Sequence, residues 1–243
     1  FTLTKVGAKS TFRCSVVNPP KELESLRGAV ERALGNIADV WESKIDVHMR
    51  IGFHKDTDNP DDVAIGGGTP MVDFGPGGGG GGLEGQLVPV GAAEAMIGRE
   101  INGHEAGKDQ FDILVKLNTA TPWYTGVDSR PGSGEYDLVT VLMREMYHSL
   151  MFSGSIVLQK GSSSNKMSAR LLNHRATRFD SFLASRDACS VLGYLDASDP
   201  SVRDLVKKTG KSRHELFATA LQSKLYFAYN TANAGGPMTV ARM

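Results

Sequence analysis

The chain has 243 residues, with 27 Lys and Arg balanced by 27 Asp and Glu, so its formal net charge is zero. That balance argues against a general role on nucleic acid or on an anionic membrane, both of which call for a basic surplus. Hydrophobic residues make up 40%, and no apolar run reaches the roughly 18 residues of a membrane span, so one or two domains with a core of their own are expected.

In chain order, residues 3–17 alternate loosely and predict an opening strand closed by Pro19-Pro20. Leu23, Leu26, Val30, Leu34, Ile37 and Trp41 recur at three- and four-residue steps, which predicts an amphipathic helix of roughly six turns. Ile45, Val47, Met49 and Ile51 alternate with polar neighbours and predict a half-buried strand over 44–53. Short strands are expected at 63–65 and 86–89. Between them, ten of the seventeen residues over 66–82 are glycine. Such a segment cannot pack a core and predicts a flexible surface loop. A phosphate cradle would need spaced glycines followed by Lys-Ser/Thr or a helix start, and neither follows.

Residues 92–99 predict a short helix and 111–118 a strand. A loop over 119–135 carries Trp123-Tyr124, and 136–152 predicts the strongest helix after the first. Residues 153–173, rich in Ser and Gly, are expected to be irregular. Helices should follow over 177–188, over 201–209 with Pro200 before and Gly210 after, and over 212–224, where Ser212-x-x-Glu215 is a capping box. Two late strands close the chain, at 225–229 and 238–241. The chain begins at Phe1 rather than Met, as a processed chain or a fragment would. Cys14 and Cys189 fit either one disulfide or two buried thiols, and no CxxC offers a cysteine-based zinc knuckle.

The chemistry-bearing pattern lies in the 136–152 helix. Arg144, Glu145 and His148 stand at i, i+1 and i+4, and i and i+4 share a helix face. In His-Glu-x-x-His, two histidines bind zinc and the Glu is general base for the metal-bound water. Here Glu145 and the second His are in place, and Arg144 stands where the first His would be.

Around that helix, Phe111-Asp-Ile-Leu-Val-Lys-Leu-Asn-Thr, Pro122-Trp-Tyr-Thr-Gly-Val-Asp and Tyr136-Asp-Leu-Val-Thr-Val-Leu-Met-Arg-Glu-Met-Tyr-His resemble the zincin (metzincin-like) metallopeptidase family. Looser blocks extend the resemblance over roughly residues 20–240: Ala38-Asp-Val-Trp-Glu-Ser, Val88-Pro-Val-Gly-Ala-Ala-Glu, Arg178-Phe-Asp-Ser-Phe-Leu and Leu225-Tyr-Phe-Ala-Tyr-Asn. The resemblance implies an α/β (α+β) fold. A long helix backs a twisted mixed sheet, and the active-site helix lies beneath an edge strand such as 111–118, which in active zincins pairs with substrate peptide. It implies an N-terminal subdomain over 1–152, carrying the glycine-rich loop 66–82, and a mostly helical C-terminal subdomain over 153–243. It also implies a secreted or extracellular setting, which suits a Cys14–Cys189 bridge, and a cleft lined by Trp123, Tyr124 and Tyr147.

The departures fall on the chemistry. Arg144 carries a fixed charge and no lone pair to give a metal. Tyr147 and Met151 replace small residues of the family pattern. A metzincin-like third ligand would fall at Gly154, which cannot ligate. Later candidates, His174, Asp180 and His214, have no diagnostic spacing, and His48, His54 and His104 read as surface histidines. Glu145 is therefore expected to be a vestigial general base and His148 a vestigial ligand, with no cofactor and with a protein partner or larger assembly. The alternative is a zinc endopeptidase with an atypical ligand set. Arg144 is expected either to point to solvent or form a structural ion pair, or to pair with Glu145, Asp180 or another carboxylate in the space of the lost cation, or to bind an acidic or C-terminal peptide group.

Overall fold

The computed structural model describes residues 1–23, 25–58, 64–66, 71–73, 86–102, 111–160, 167–171, 176–177, 179–184, 200–222, 226–229 and 239–242. They fall into two compact units. The described residues of 1–72 and 88–152 form the first, and those of 153–243, with Asp73, Gln86 and Leu87, form the second. Most of the glycine-rich segment, His104, His174, Arg178 and Cys189 lie outside the described residues.

The first unit opens with a hairpin where the sequence predicted one strand. Strands β1 (Thr2–Val6) and β2 (Thr11–Val16) pair antiparallel, with Leu3 opposite Cys14. The chain turns because Gly7 donates its N–H to the Ser10 carbonyl, and a Cβ on Gly7 would lie 2.4 Å from the Ala38 carbonyl carbon. Helix α1 (Leu26–Ala38) buries Leu26, Val30, Leu34 and Ile37, as the periodicity requires. It is shorter than expected: Leu23 ends a separate 3-10 turn, and Trp41 lies past the helix. The helix stops because the Ala38 carbonyl accepts from the Lys9 and Ser10 amides and the Asp39 carboxylate from that of Ala8.

Further strands are β3 (Val47–His54), β4 (Ala64–Gly66), β5 (Met71–Asp73) and β6 (Leu87–Pro89). They are followed by α2 (Val90–Ile97) and β7 (Ile113–Asn118). Among the described residues, five strands form a sheet in the order β1-β2-β3-β7-β4. Strands β2, β3 and β7 are parallel, while β1 and β4 run antiparallel at its two sides. This corrects one expectation: β7 is not an edge strand. Ala64 pairs with Leu117 and Gly66 with Val115, so β4 takes the edge.

The register places Phe12, Cys14, Val16, Val47, Met49, Ile51, Ile113, Val115 and Leu117 in one buried cluster. Against it pack α1 and the later helix α3 (Leu138–Leu150), which also contact each other. Two short paired strands, β8 (Trp123–Tyr124) and β9 (Tyr136–Asp137), lead into α3. The result is a mixed α/β architecture built on a mixed sheet. Cys14 is a free thiol in this core, and the bridge considered for it falls on Cys189, outside the described residues; burial, which disfavours the thiolate, pushes the Cys14 pKa up to about 12.

The described residues of the second unit are less helical than expected. Strands β10 (Ile156–Lys160) and β11 (Met167–Leu171) form a hairpin in the stretch expected to be irregular. Where a helix over 177–188 was expected there is a 3-10 turn, Phe179–Phe182, followed by β12 (Leu183–Ala184). Helices α4 (Pro200–Thr209) and α5 (Arg213–Gln222) follow, then β13 (Tyr226–Tyr229) and β14 (Thr239–Arg242), which pair antiparallel. The predicted capping box forms: the Ser212 N–H donates to Glu215 Oε2 at 3.0 Å, and the Glu215 N–H to Ser212 Oγ at 3.3 Å. Phe217, Val202, Leu216, Ala220 and Leu183 are the core of this unit. Among the described residues no helix is long and apolar enough to cross a membrane.

Candidate functional site

Helix α3 is set by both its ends. Asp137 is its N-cap, accepting from the Thr140 N–H at 3.1 Å and from the Thr140 hydroxyl. At its C-terminal end the Met151 and Phe152 amides return to the Tyr147 carbonyl. Its buried face carries Leu138, Leu142, Glu145, Met146, Ser149 and Leu150. The outer stripe, spaced at three and four residues, carries Thr140, Met143, Arg144, Tyr147 and His148.

The candidate triplet is thus split between two faces. Glu145 is 2% exposed, whereas the Arg144 side chain is 63% exposed. The Arg144 Nη1 donates to Glu145 Oε1 at 2.5 Å. Of the carboxylates considered for Arg144, the structure therefore selects Glu145, in an ion pair with one end open to solvent. His148 uses Nδ1 on the Phe152 carbonyl at 2.8 Å. With the proton assigned to Nδ1 by that bond, the lone pair of the neutral ring is on Nε2.

Arg144 and His148 line a hollow of about 400 Å³ with Thr140, Met143, Tyr147 and Phe152. Tyr147 and Phe152 meet edge to face, ring centroids 6.1 Å apart. Met143 is held from α1, where Asn36 Nδ2 donates to its sulfur at 3.4 Å. Of the three residues expected to line a cleft, Tyr147 does so. Trp123 packs on the core and donates Nε1–H to the Asn118 carbonyl at 2.8 Å, and the Tyr124 hydroxyl donates to Asp128; neither lines this hollow.

The later ligand candidates have other work. Asp180 is fully buried and accepts from Ser155 N–H and Oγ–H and from Thr177 N–H and Oγ–H, all within 3.1 Å of Oδ2. That carboxylate lies in the 3-10 turn Phe179–Phe182, where a helix was expected. A Cβ on Gly154 would come 2.9 Å from Asp180 Oδ1, so glycine there serves packing within the second unit. His214 stands on α5. His54, expected at the surface, is half-buried, and both its ring nitrogens are sheltered from water with no hydrogen-bond partner among the described residues. Among the described residues no group of three His, Cys, Asp or Glu is placed to hold a metal ion. One imidazole beside a guanidinium does not fit a catalytic zinc, which takes three protein ligands.

A second cluster was missed in the sequence. Glu94 on α2 and Asp112 before β7 are both buried, and Glu100 stands at their rim. Asp112 Oδ2 accepts the His48 amide at 2.7 Å and its Oδ1 the Asn102 side-chain amide at 2.9 Å; Glu94 Oε1 accepts the Ile101 amide at 2.8 Å. Burial first, then the neighbouring Glu94 carboxylate, push Asp112 up to about 7 against its hydrogen bonds. Loss of hydration and the Glu94 and Asp112 charges raise Glu100 to about 7 as well. These acids are scattered over 94–112, and no spacing rule marks them as one group.

Compared with protein-family models, with curated proteins and with solved structures, the chain matches none.

Proposed function

We propose that this chain is a non-catalytic, metallopeptidase-like domain that works as a structural or protein-binding module in a larger assembly. The observation that carries the reading is the Arg144–Glu145 pair. The carboxylate that would activate water in a His-Glu-x-x-His helix is engaged by a guanidinium standing in the first ligand position. That guanidinium has no lone pair for a metal and brings a fixed positive charge to the place of a dication. Helix α3 packs against β7 and β4, but the edge beside it is β4 and not the 111–118 strand that the zincin resemblance implies. The alternative, a zinc endopeptidase with atypical ligands, has one feature in its favour. The Nδ1 bond to Phe152 orients His148 as metal-bound imidazoles are oriented, with Nε2 available.

Elemental analysis of the purified chain separates the two. The module reading expects no stoichiometric zinc and no cleavage of unfolded protein substrates. One zinc per chain, with His148 and two further side chains about 2.0–2.2 Å from it, overturns it.

A further inference from the structure

We propose that the hollow on α3 takes the free C-terminus of a polypeptide whose last side chain is apolar. This rests on the reading of the domain as a binding module and names the chemistry of its partner. Three observations converge. The walls are apolar and open: Tyr147 is 37% and Phe152 39% exposed, and with Met143 they form a surface that water covers poorly. The hollow is small, about 400 Å³, near the lower end of ligand pockets, so it suits the end of a chain more than a long segment.

The third observation is the charge. Arg144 spends Nη1 on Glu145, yet a guanidinium has five N–H donors in a planar fork, and 63% of this side chain faces solvent. Its remaining N–H groups suit a second carboxylate, one edge of the fork serving each. An internal Asp or Glu would bring that carboxylate on a backbone that continues in both directions. A C-terminal residue brings carboxylate and apolar side chain on one Cα, and only one chain arm has to leave a hollow bounded by Phe152. Glu145 beneath holds the guanidinium in place in advance, so little ordering is left for the ligand to impose.

The test titrates the full chain with a short peptide ending in Phe, as free carboxylate and as C-terminal carboxamide, followed by amide chemical shifts and calorimetry. The carboxylate form should bind at least about fivefold more tightly than the carboxamide, with shifts centred on residues 140–152. Arg144→Gln, which removes the charge and the fork together, should erase that preference, and Tyr147→Ala should weaken both forms alike. Equal binding of the two peptides overturns the C-terminus assignment and leaves the module reading standing. Absence of shifts at 140–152 with either peptide overturns it too, whereas a stoichiometric zinc would bring down the module reading itself. The two-peptide comparison needs no variant, so a variant that fails to fold does not spoil the test.

Discussion

Arg144 and Glu145 are neighbours in sequence with opposite surroundings, one in water and one in the core. Removing the exposed partner leaves a buried carboxylate without its guanidinium. Arg144→Met should therefore destabilise the first unit by about 1–3 kcal/mol in urea unfolding, more than a surface ion pair is worth. Adding Glu145→Gln should recover most of that loss. The pair shows how much of the site was legible. Glu-x-x-His stands out in the sequence, and so does the arginine in the wrong place. Which carboxylate the arginine takes was open, because it depends on which helix face Glu145 buries. The Glu94–Asp112–Glu100 group was not legible at all, since only the fold brings it together. Its prediction is a pH dependence. Asp112 and Glu100 have folded-state pKa values of about 7, above their ordinary 3.8 and 4.5. The folded state thus holds extra protons, and this cluster's contribution to stability falls as pH rises from about 4 to about 7. Glu94→Gln keeps an oxygen for the Ile101 amide and removes the central charge. Thermal melts of that variant should show a raised midpoint near pH 8 and little change near pH 4.

At the scale of elements, the segments read best were those with chemistry at their ends. The Ser212–Glu215 box places α5 within a residue or two of its observed span, and Pro200 and Gly210 bracket α4. The segments read worst were governed by contacts distant in sequence. Residues 3–17 alternate like one strand, but Gly7 is bent by its closeness to Ala38, and Trp41 is excluded from α1 by amides from the same turn. In the second unit, 153–173 hides a hairpin because its Ser- and Gly-rich middle masks the alternation on either side. Two measurements follow. Gly7→Ala forces a Cβ against the backbone of Ala38 and should cost about 1–3 kcal/mol of stability in denaturant unfolding. Asp137→Ala removes the N-cap of α3 and should cost about 1 kcal/mol, with amide exchange speeding up first at residues 138–141.

For the whole molecule, the described residues form two apolar clusters, one in each unit. Phe12 is the largest fully buried side chain of one and Phe217 of the other. Phe217→Ala should cost about 3–5 kcal/mol locally, lowering amide protection in α4 and α5 while leaving β2, β3 and β7 close to their original rates. Neutral charge and ordinary apolar content foretold a folded chain and said nothing of this division, because composition carries no topology.

The burial of Cys14 has a practical consequence. Its sulfur is sealed on the inner face of β2, and its proton is held so firmly that an alkylating reagent finds almost no thiolate to attack in the native state. Once β2 leaves the sheet, the same thiol becomes an ordinary reactive group. The chain therefore carries its own clock for opening of the first unit: the rate at which a peptide containing Cys14 gains the mass of an alkyl label counts the openings of that sheet, with no probe introduced.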